Sequence, residues 1–371
     1  MKITAIETFA VRIPVKPEYL MITALGRHDI SEYVILRVLT DEGAEGAGEA
    51  TVSERWSGET IWGCRALIEH VLGPALVGCD PFDIDFLNQR MDAACRYNWF
   101  AKSALEMACW DIRGRVEGRP VYELLGGACR DRSLRCRFSM GAYDVERARH
   151  RAAELVAQGF TTIKVKVGGR PHDDVARVRA VREVIGPEIE LVLDANCGWD
   201  ADTAIDCLHQ LESCDVALME QPTPDGDYGA MARVRAQVKP KIMADDICFD
   251  MVHAQELARN DCCDVISLYP GKNGGILKSK RIAEFAARHG VACSIGSNLE
   301  YDIATAAMCH MVIATENMKV EQYPGDMLGP AYHASSIVKK SIQIEGPVVT
   351  ISNRPGLGID VDWDVVRENR A

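Results

Sequence analysis

The stretch "TTIKVKVGG", residues 161–169, sets two lysines into a run of β-branched residues. Side chains on a strand alternate between its faces, so Lys164 and Lys166 point one way and Ile163, Val165 and Val167 the other. An edge strand with one wet face would account for that alternation. A strand covered on both faces would instead bring two ammonium groups into one space. There, like charge and partial desolvation favour loss of a proton from one of them, which yields a base near neutral pH. The surrounding rhythm decides between the two.

Apolar strand, loop and helix repeat along the second half of the chain. Strands are predicted at 135–141, 161–167, 189–195, 216–221, 241–246, 264–269, 291–296 and 318–323. Helical segments such as "VERARHRAAELVAQG" and "LKSKRIAEFAARHG" lie between them. Strands at intervals of about 25 residues, nearly all apolar and therefore covered on both faces, imply an α/β fold of the parallel (β/α)-barrel type. A doubly wound open sheet is disfavoured because no GxGxxG turn follows an early strand.

Ahead of the barrel, residues 2–10, 32–41 and 44–51 read as an antiparallel meander with "DEG" as a turn. From about Thr60 to Leu125 the period becomes helical, most clearly in "AKSALEMACWDIRGRV". The expected organisation is an α+β domain over 1–128, a barrel over 129–335, and a segment over 336–371 that packs back on the first domain.

A length of 371 residues allows two domains. The formal net charge of −12, with no Lys/Arg-rich block, argues against nucleic acid and for small-molecule chemistry. The cysteines are scattered, with no CxxC pair, and read as reduced core residues. No apolar run reaches membrane-span length and the N-terminus lacks a signal-peptide core. A cytoplasmic enzyme with no membrane partner is expected.

Chemistry in a (β/α) barrel sits at the C-terminal ends of the strands. Those ends carry Lys164 and Lys166, then Asp194 in "LDAN", Glu220 in "MEQP", and Asp245 with Asp246 in "MADD". One βα unit separates each acid from the next. A barrel would therefore gather three carboxylates, each preceded by an apolar run that leaves it no partner of its own. Taken singly, each could be a solvated loop acid or a helix cap. Together they call for an oxygen-preferring divalent cation: Mg²⁺, with Mn²⁺ as the alternative. Zinc is disfavoured, since Cys197 and Cys248 lie past the strand tips. Such a metal acidifies the α-proton of a bound carboxylate and stabilises the enediolate, while a lysine of lowered pKa removes the proton. Lys166, nearer the tip, is the candidate base, with Lys164 lowering its pKa and reaching the substrate carboxylate.

These residues resemble the enolase superfamily, most closely its muconate lactonizing enzyme subgroup (the mandelate racemase/muconate lactonizing enzyme family). The resemblance spans nearly the whole chain and includes "VLTDEGAEGAGEAT", "IKVKVG", "LDANCGW", "MEQP", "MADD", "GKNGG", "SNLEYDIATAA" and "RPGLGI". It implies Asp194, Glu220 and Asp245 as metal ligands, Lys164 and Lys166 as a KxK motif, and Asn196 and Asp246 as their support. It also implies a capping domain whose loops near 16–31 and 51–60 close over a small carboxylate substrate, and a homo-oligomeric assembly. Arg27, His28, Arg55 and Trp56 fall in those loops. Glu300 and Asn298 fall in the segment after the seventh strand, where lactonizing and racemizing members carry an acid.

One departure bears on the reaction. Where two-faced members of the family carry a second lysine at the end of the sixth strand, this chain reads "SLYPGKNGG" and places Tyr269; Lys272 belongs to the following turn. A histidine–aspartate dyad is also missing, and His310 reads as structural. The resemblance therefore implies an isomerase or lyase working mainly from one face: a muconate-type cycloisomerase or a syn-dehydratase. Epimerisation of an amino acid or proline derivative, with Tyr269, Lys272 or Glu300 on the other face, stands as the alternative. Outside that class stand a metal-free barrel with a Schiff-base lysine and a non-catalytic binding protein.

Overall fold

A computed structural model describes residues 1–371. Strand β1 (Ile3–Pro14) begins the chain, and a small hairpin of β2 (Met21–Thr23) and β3 (Gly26–His28) follows. The antiparallel sheet β1–β4–β5 is completed by β4 (Ile30–Thr40) and β5 (Glu45–Val52). The helix Trp99–Glu117 lies on this sheet and is buried almost throughout from Phe100 to Gly114. Two glycines permit that approach: a Cβ at Gly48 would stand 1.9 Å from the carbonyl oxygen of Ala104, and one at Gly46 2.1 Å from that of Ala108. The helical region also holds a π-helical turn at Ile68–Leu72, which the sequence period does not reveal.

The expected first barrel strand at 135–141 is two strands. β6 (Ser133–Arg135) pairs away from the barrel, and β7 (Phe138–Met140) opens a parallel sheet. That sheet continues through β8 (Thr162–Lys166), β9 (Glu190–Asp194), β10 (Val216–Glu220), β11 (Lys241–Ala244), β12 (Val265–Leu268) and β13 (Ala292–Ile295), in that spatial order. β8 is thus an inner strand, buried at every position, and the edge-strand reading of "TTIKVKV" falls away.

The eighth strand expected at 318–323 reduces to one parallel bridge, Cys293 to Met318. The amides of Gln322 and Tyr323 turn back onto the carbonyl of Lys319, and Pro324 has no N–H to offer. The ring is joined instead by Arg137 N–H donating to the carbonyl of Gly325 at 2.8 Å.

The barrel interior is graded along each strand. Val192, Leu218, Met243 and Val265 form a small apolar cluster of their own. Two residues further on, on the same face, stand Asp194, Glu220, Asp245 and Ser267. A greasy floor therefore underlies a charged layer at the strand tips.

In the tail, β14 (Gln343–Glu345) and β15 (Val348–Thr350) join β6 in a three-stranded sheet. Beyond them the chain reaches the first domain: Leu357 N–H donates to Asp111, and Ala371 N–H to the carbonyl of Ala10. All the cysteines are free thiols. Most are buried as expected, but Cys129 is exposed and Cys79, Cys95 and Cys197 are half-buried, so these four are not core residues. No helix is long and apolar enough to cross a membrane.

Candidate active site

Register carries the tips of adjacent strands to one level: Lys166 lies opposite Asp194, and Asp194 opposite Glu220. Just past the tips the backbone turns sharply. Asn196, Cys197 and Gln221 all have positive φ, at 42°, 66° and 36°. Non-glycine residues hold such angles only when their surroundings impose them, and this is common at functional sites. Gln221 shows what imposes it here: its side-chain oxygen accepts from the amides of Asp245 and Ile247, at 3.0 and 3.3 Å, which ties the fourth tip to the fifth.

The expectation that the three acids lack partners is wrong. Lys164 Nζ lies 2.8 Å from Asp194 Oδ2 and 3.0 Å from Glu220 Oε1. Lys166 Nζ lies 2.5 Å from the same Asp194 oxygen and 2.6 Å from Asn196 Oδ1. Arg137 reaches Glu220 Oε2 at 2.7 Å, and Lys272 binds Asp245. Burying a carboxylate without a counter-charge is costly, so each recruits a cation. No three acidic, histidine or cysteine side chains stand together as a ready metal cage; the ammonium groups are threaded between them.

This pairing also reverses the expected effect of the lysine pair. Burial alone would lower the pKa of Lys164, but Asp194 and Glu220 outweigh it and the net direction is upward. Asp194 is held far below the usual carboxylate range: burial opposes this, and Lys164 and Lys166 prevail. Glu220 is pushed up by burial and then by the charge of Asp194, only partly offset by Lys164 and Arg137. Asp246 rises to about 7 through burial and the charges of Asp245 and Asp194.

The donor set fits a hard divalent cation. All its atoms are carboxylate oxygens, close enough to raise one another, and Asp246 Oδ2 is buried with no hydrogen-bond partner. Asp194, Glu220 and Asp245 are the residues that would hold it.

A cavity of about 120 Å³ lies over the tips. Lys164, Lys166, Asn196 and Asp245 form its barrel side, and Tyr269 a further wall. The capping loops supply Arg27, His28, Arg55 and Trp56, and the turn after β13 supplies Asn298. All five candidate substrate contacts are thus brought to one cavity, although Arg27 is largely exposed and pairs with Asp29 at 3.4 Å.

Two expected participants stand behind the wall. Lys272 is fully buried, and its three donors go to the Asp245 side chain and to the carbonyls of Asp245 and Ser267, the latter two at 2.8 Å. Glu300 accepts from Ser297 Oγ at 2.7 Å and from the amide of Asn298, and burial lifts it to about 8.

β8 and β12 lie four places apart in the strand order, so the lysines and Tyr269 face each other across the barrel. Tyr269 is 1% exposed and stacked on Trp56 at 5.6 Å and 18°. Trp56 Nε1–H donates to Asp246. Burial, then Asp245 and Glu300, push the Tyr269 phenol well above 10.

Sequence reasoning misses Arg137, although "RCRFSMG" shows an arginine in an otherwise apolar strand. It also misses Gln221, Ser139 and Asp326, the latter two lining the cavity, and the hairpin β2–β3, whose strands are too short to alternate. His310 is structural as expected: its Nδ1 accepts from Tyr122 N–H at 3.1 Å, and burial lowers it to about 4.

Comparison with known proteins sets this geometry in a family. The model described as "Enolase C-terminal domain-like" matches residues 147–365, and that described as "Mandelate racemase / muconate lactonizing enzyme, N-terminal domain" matches residues 3–126. The chain belongs to the mandelate racemase/muconate lactonizing enzyme family of the enolase superfamily. It is 32% identical to a hydrophobic dipeptide epimerase of Enterococcus faecalis, over 97% of this chain and 99% of that one. It is 28% identical to an N-succinyl-L-Arg/Lys racemase of Bacillus cereus, whose crystal structure superposes with a TM-score of 0.96 over 100% of this chain and 98% of that one. A chloromuconate cycloisomerase of Cupriavidus necator is 30% identical over 99% of this chain and 98% of its own. Enolase-superfamily enzymes use Mg²⁺, and the Enterococcus epimerase has been crystallised with Mg and the dipeptide L-Leu-L-Tyr. The barrel with its capping domain, read from strand spacing, is the architecture of this family.

Proposed function

We propose that this enzyme removes a proton α to the carboxylate of a small substrate, with Lys166 as the base acting from one face, and that the reaction is completed without a second base. Removal leads to loss of a β-hydroxyl as water; in the reverse sense, a substrate carboxylate adds to a conjugated double bond to close a ring, and Lys166 delivers the proton to the α-carbon of the enediolate that results. The carrying observation is the asymmetry of the cavity. Two lysines stand on one side, and the opposite strand tip carries Tyr269, stacked on Trp56, rather than a lysine.

Bound by Asp194, Glu220 and Asp245, Mg²⁺ would polarise the substrate carboxylate and relieve the lysines of their role as counter-ions. The chain's own groups do the rest. Lys164, beside Asp194 and Glu220, is placed to hold a substrate carboxylate oxygen. Lys166, freed from Asp194 and steadied by Asn196, takes the α-proton and in a syn elimination returns it to the departing hydroxyl. The Trp56–Tyr269 stack closes the far side and keeps water away.

Epimerisation is the second reading, favoured by the likeness to a racemase and an epimerase. It would use the protonated Tyr269 phenol to deliver a proton to the far face. A phenol held above 10 is scarcely ever the phenolate that would remove a proton from the far face, so such turnover would be slow.

The test is α-hydrogen exchange in D₂O with Mg²⁺ across a panel of hydroxy acids, acylated amino acids and dipeptides. Lys166→Ala should cost at least about 10³-fold in the exchange rate of any active compound. An unchanged rate would assign the base elsewhere.

A further inference from the structure

A chain of hydrogen bonds outside the lysine–acid cluster runs from the cavity into the seam between the domains. His28 lines the cavity, and its Nε2 lies 2.8 Å from Ser31 Oγ. Ser31 Oγ lies 2.9 Å from His333 Nε2, which lies 2.8 Å from Tyr33 Oη. Tyr33 Oη lies 2.7 Å from the carbonyl of Leu299, and His333 Nδ1 2.7 Å from that of Gly329. Ser31, Tyr33 and His333 are buried, and the ring of His333 is wedged edge-on against Tyr33 and Tyr301.

Proton counting along this chain fixes its polarity. A carbonyl only accepts, so His333 Nδ1 carries a hydrogen. Burial lowers the pKa of His333 to about 4, so at neutral pH its Nε2 is a bare acceptor. If the single proton of Tyr33 goes to Leu299, Ser31 is free to donate to His333 and then accepts from His28 Nε2–H, which satisfies three of the four shared contacts. If Tyr33 donates to His333 instead, the carbonyl of Leu299 loses its donor and the Ser31–His333 contact has no hydrogen. The first arrangement wins. His28, itself kept neutral by burial, is then an Nε2–H tautomer, and its Nδ1, which has no partner within the chain, is left as a lone-pair acceptor.

We propose that His28 Nδ1 accepts a hydrogen bond from an N–H or O–H of the substrate, and that Ser31 and His333 are positioning residues that hold it in the accepting form. This rests on the reading of the cavity as the substrate site. It narrows the substrate class to carboxylic acids that carry a hydrogen-bond donor, such as acylated or β-hydroxy amino acids, and away from donor-free muconate-type diacids.

The test uses the full chain, ¹⁵N-labelled at histidine, with Mg²⁺. Long-range ¹⁵N–¹H correlation reads the tautomer of His28, assigned by the loss of its signals in His28→Asn. The Nε2–H form is expected in the parent chain, and a mixture in Ser31→Ala; an Nδ1–H form in the parent overturns the proposal. N-acetyl-L-leucine should shift the Nδ1 resonance, whereas its ester analogue, 2-acetoxy-4-methylpentanoate, should not; an equal response to both, or none to either, also overturns it. For any substrate with a donor, Ser31→Ala should raise KM about threefold to tenfold with kcat within twofold, and Ser31→Thr should restore it. The tautomer is read without turnover, so a failure here is distinct from a failure of the Lys166 assignment.

Discussion

Glu49 and Asp194 are both carboxylates with no exposed surface, and the molecule holds them in opposite ways. Glu49, on the capping sheet, accepts from the amides of Tyr301, Ile303 and Ala304 at 2.6, 3.1 and 3.1 Å, and so caps the barrel helix Asp302–Ile313. Glu106 does the same for the helix Ile276–Arg288, and Glu59 for the helix Trp99–Glu117. Asp194, at the strand tips, is held by two ammonium groups and the amide of Asn196. Backbone amides fix where a carboxylate sits and leave its charge weakly specified: burial outweighs them and lifts Glu49 to about 7. Ammonium groups fix the charge, and being on flexible stems they can yield to another cation. The seam between the domains is therefore built to stay put, and the tips to exchange partners.

The largest expected effect sharpens that contrast. Asp194→Asn strips two buried ammonium groups of their shared counter-ion and should cost about 3–5 kcal/mol of stability, read by denaturant unfolding. A cost below 1 kcal/mol would mean that the lysines find other partners easily.

The amide-held acids, Glu49 at the seam and Glu59 within the first domain, should respond to pH instead. Glu49 and Glu59 hold their protons up to about pH 7 in the folded chain and release them near their ordinary value of 4.5 when unfolded. Between those values the folded state binds more protons, so stability should fall as pH rises through the window and level off above it, with an upper bound of about 3 kcal/mol per group. Thermal melts from pH 5 to 8 check the sign, and Glu49→Gln should flatten the slope. A wild-type chain whose stability stays flat over that range would show that the amides, not burial, set the charge.

Trp56→Phe is the mildest change. It keeps the stack on Tyr269 but removes the hydrogen bond to Asp246, worth about 1 kcal/mol. The expected result is a loss of roughly threefold to tenfold in kcat/KM with a melting temperature lowered by no more than about 2 °C. A change in melting temperature without a rate effect would make Trp56 a structural residue.

The same contrast explains what could be read in advance. Lys164, Lys166, Asp194, Glu220 and Asp245 are legible because a strand's period of two and a βα unit's regular length convert sequence positions directly into strand tips. Ion pairing across the barrel is not legible in this way. Arg137 meets Glu220 over 83 positions, and which cation a buried acid recruits depends on side-chain reach. The eighth strand was overestimated because "MKVEQY" has strand composition while its amides serve a turn. Arg27 and His28 reach the cavity through a hairpin that no period announces, and Arg55 and Trp56 through the turn after β5. The two capping loops meet where Arg55 Nη1 donates to the carbonyl of Leu25 at 3.1 Å, beside Gly26, whose φ of +123° few other residues adopt.

The central claim is that proton chemistry occurs on the lysine side of the cavity alone. It is tested most directly by the configuration at the α-carbon of substrate recovered from D₂O in the presence of Mg²⁺, measured by NMR with chiral analysis. Deuterium incorporated with retained configuration, or loss of the α-hydrogen together with a β-hydroxyl, is the expected result. Deuterium incorporated with inversion at a comparable rate would contradict it and give the Tyr269 side a base of its own.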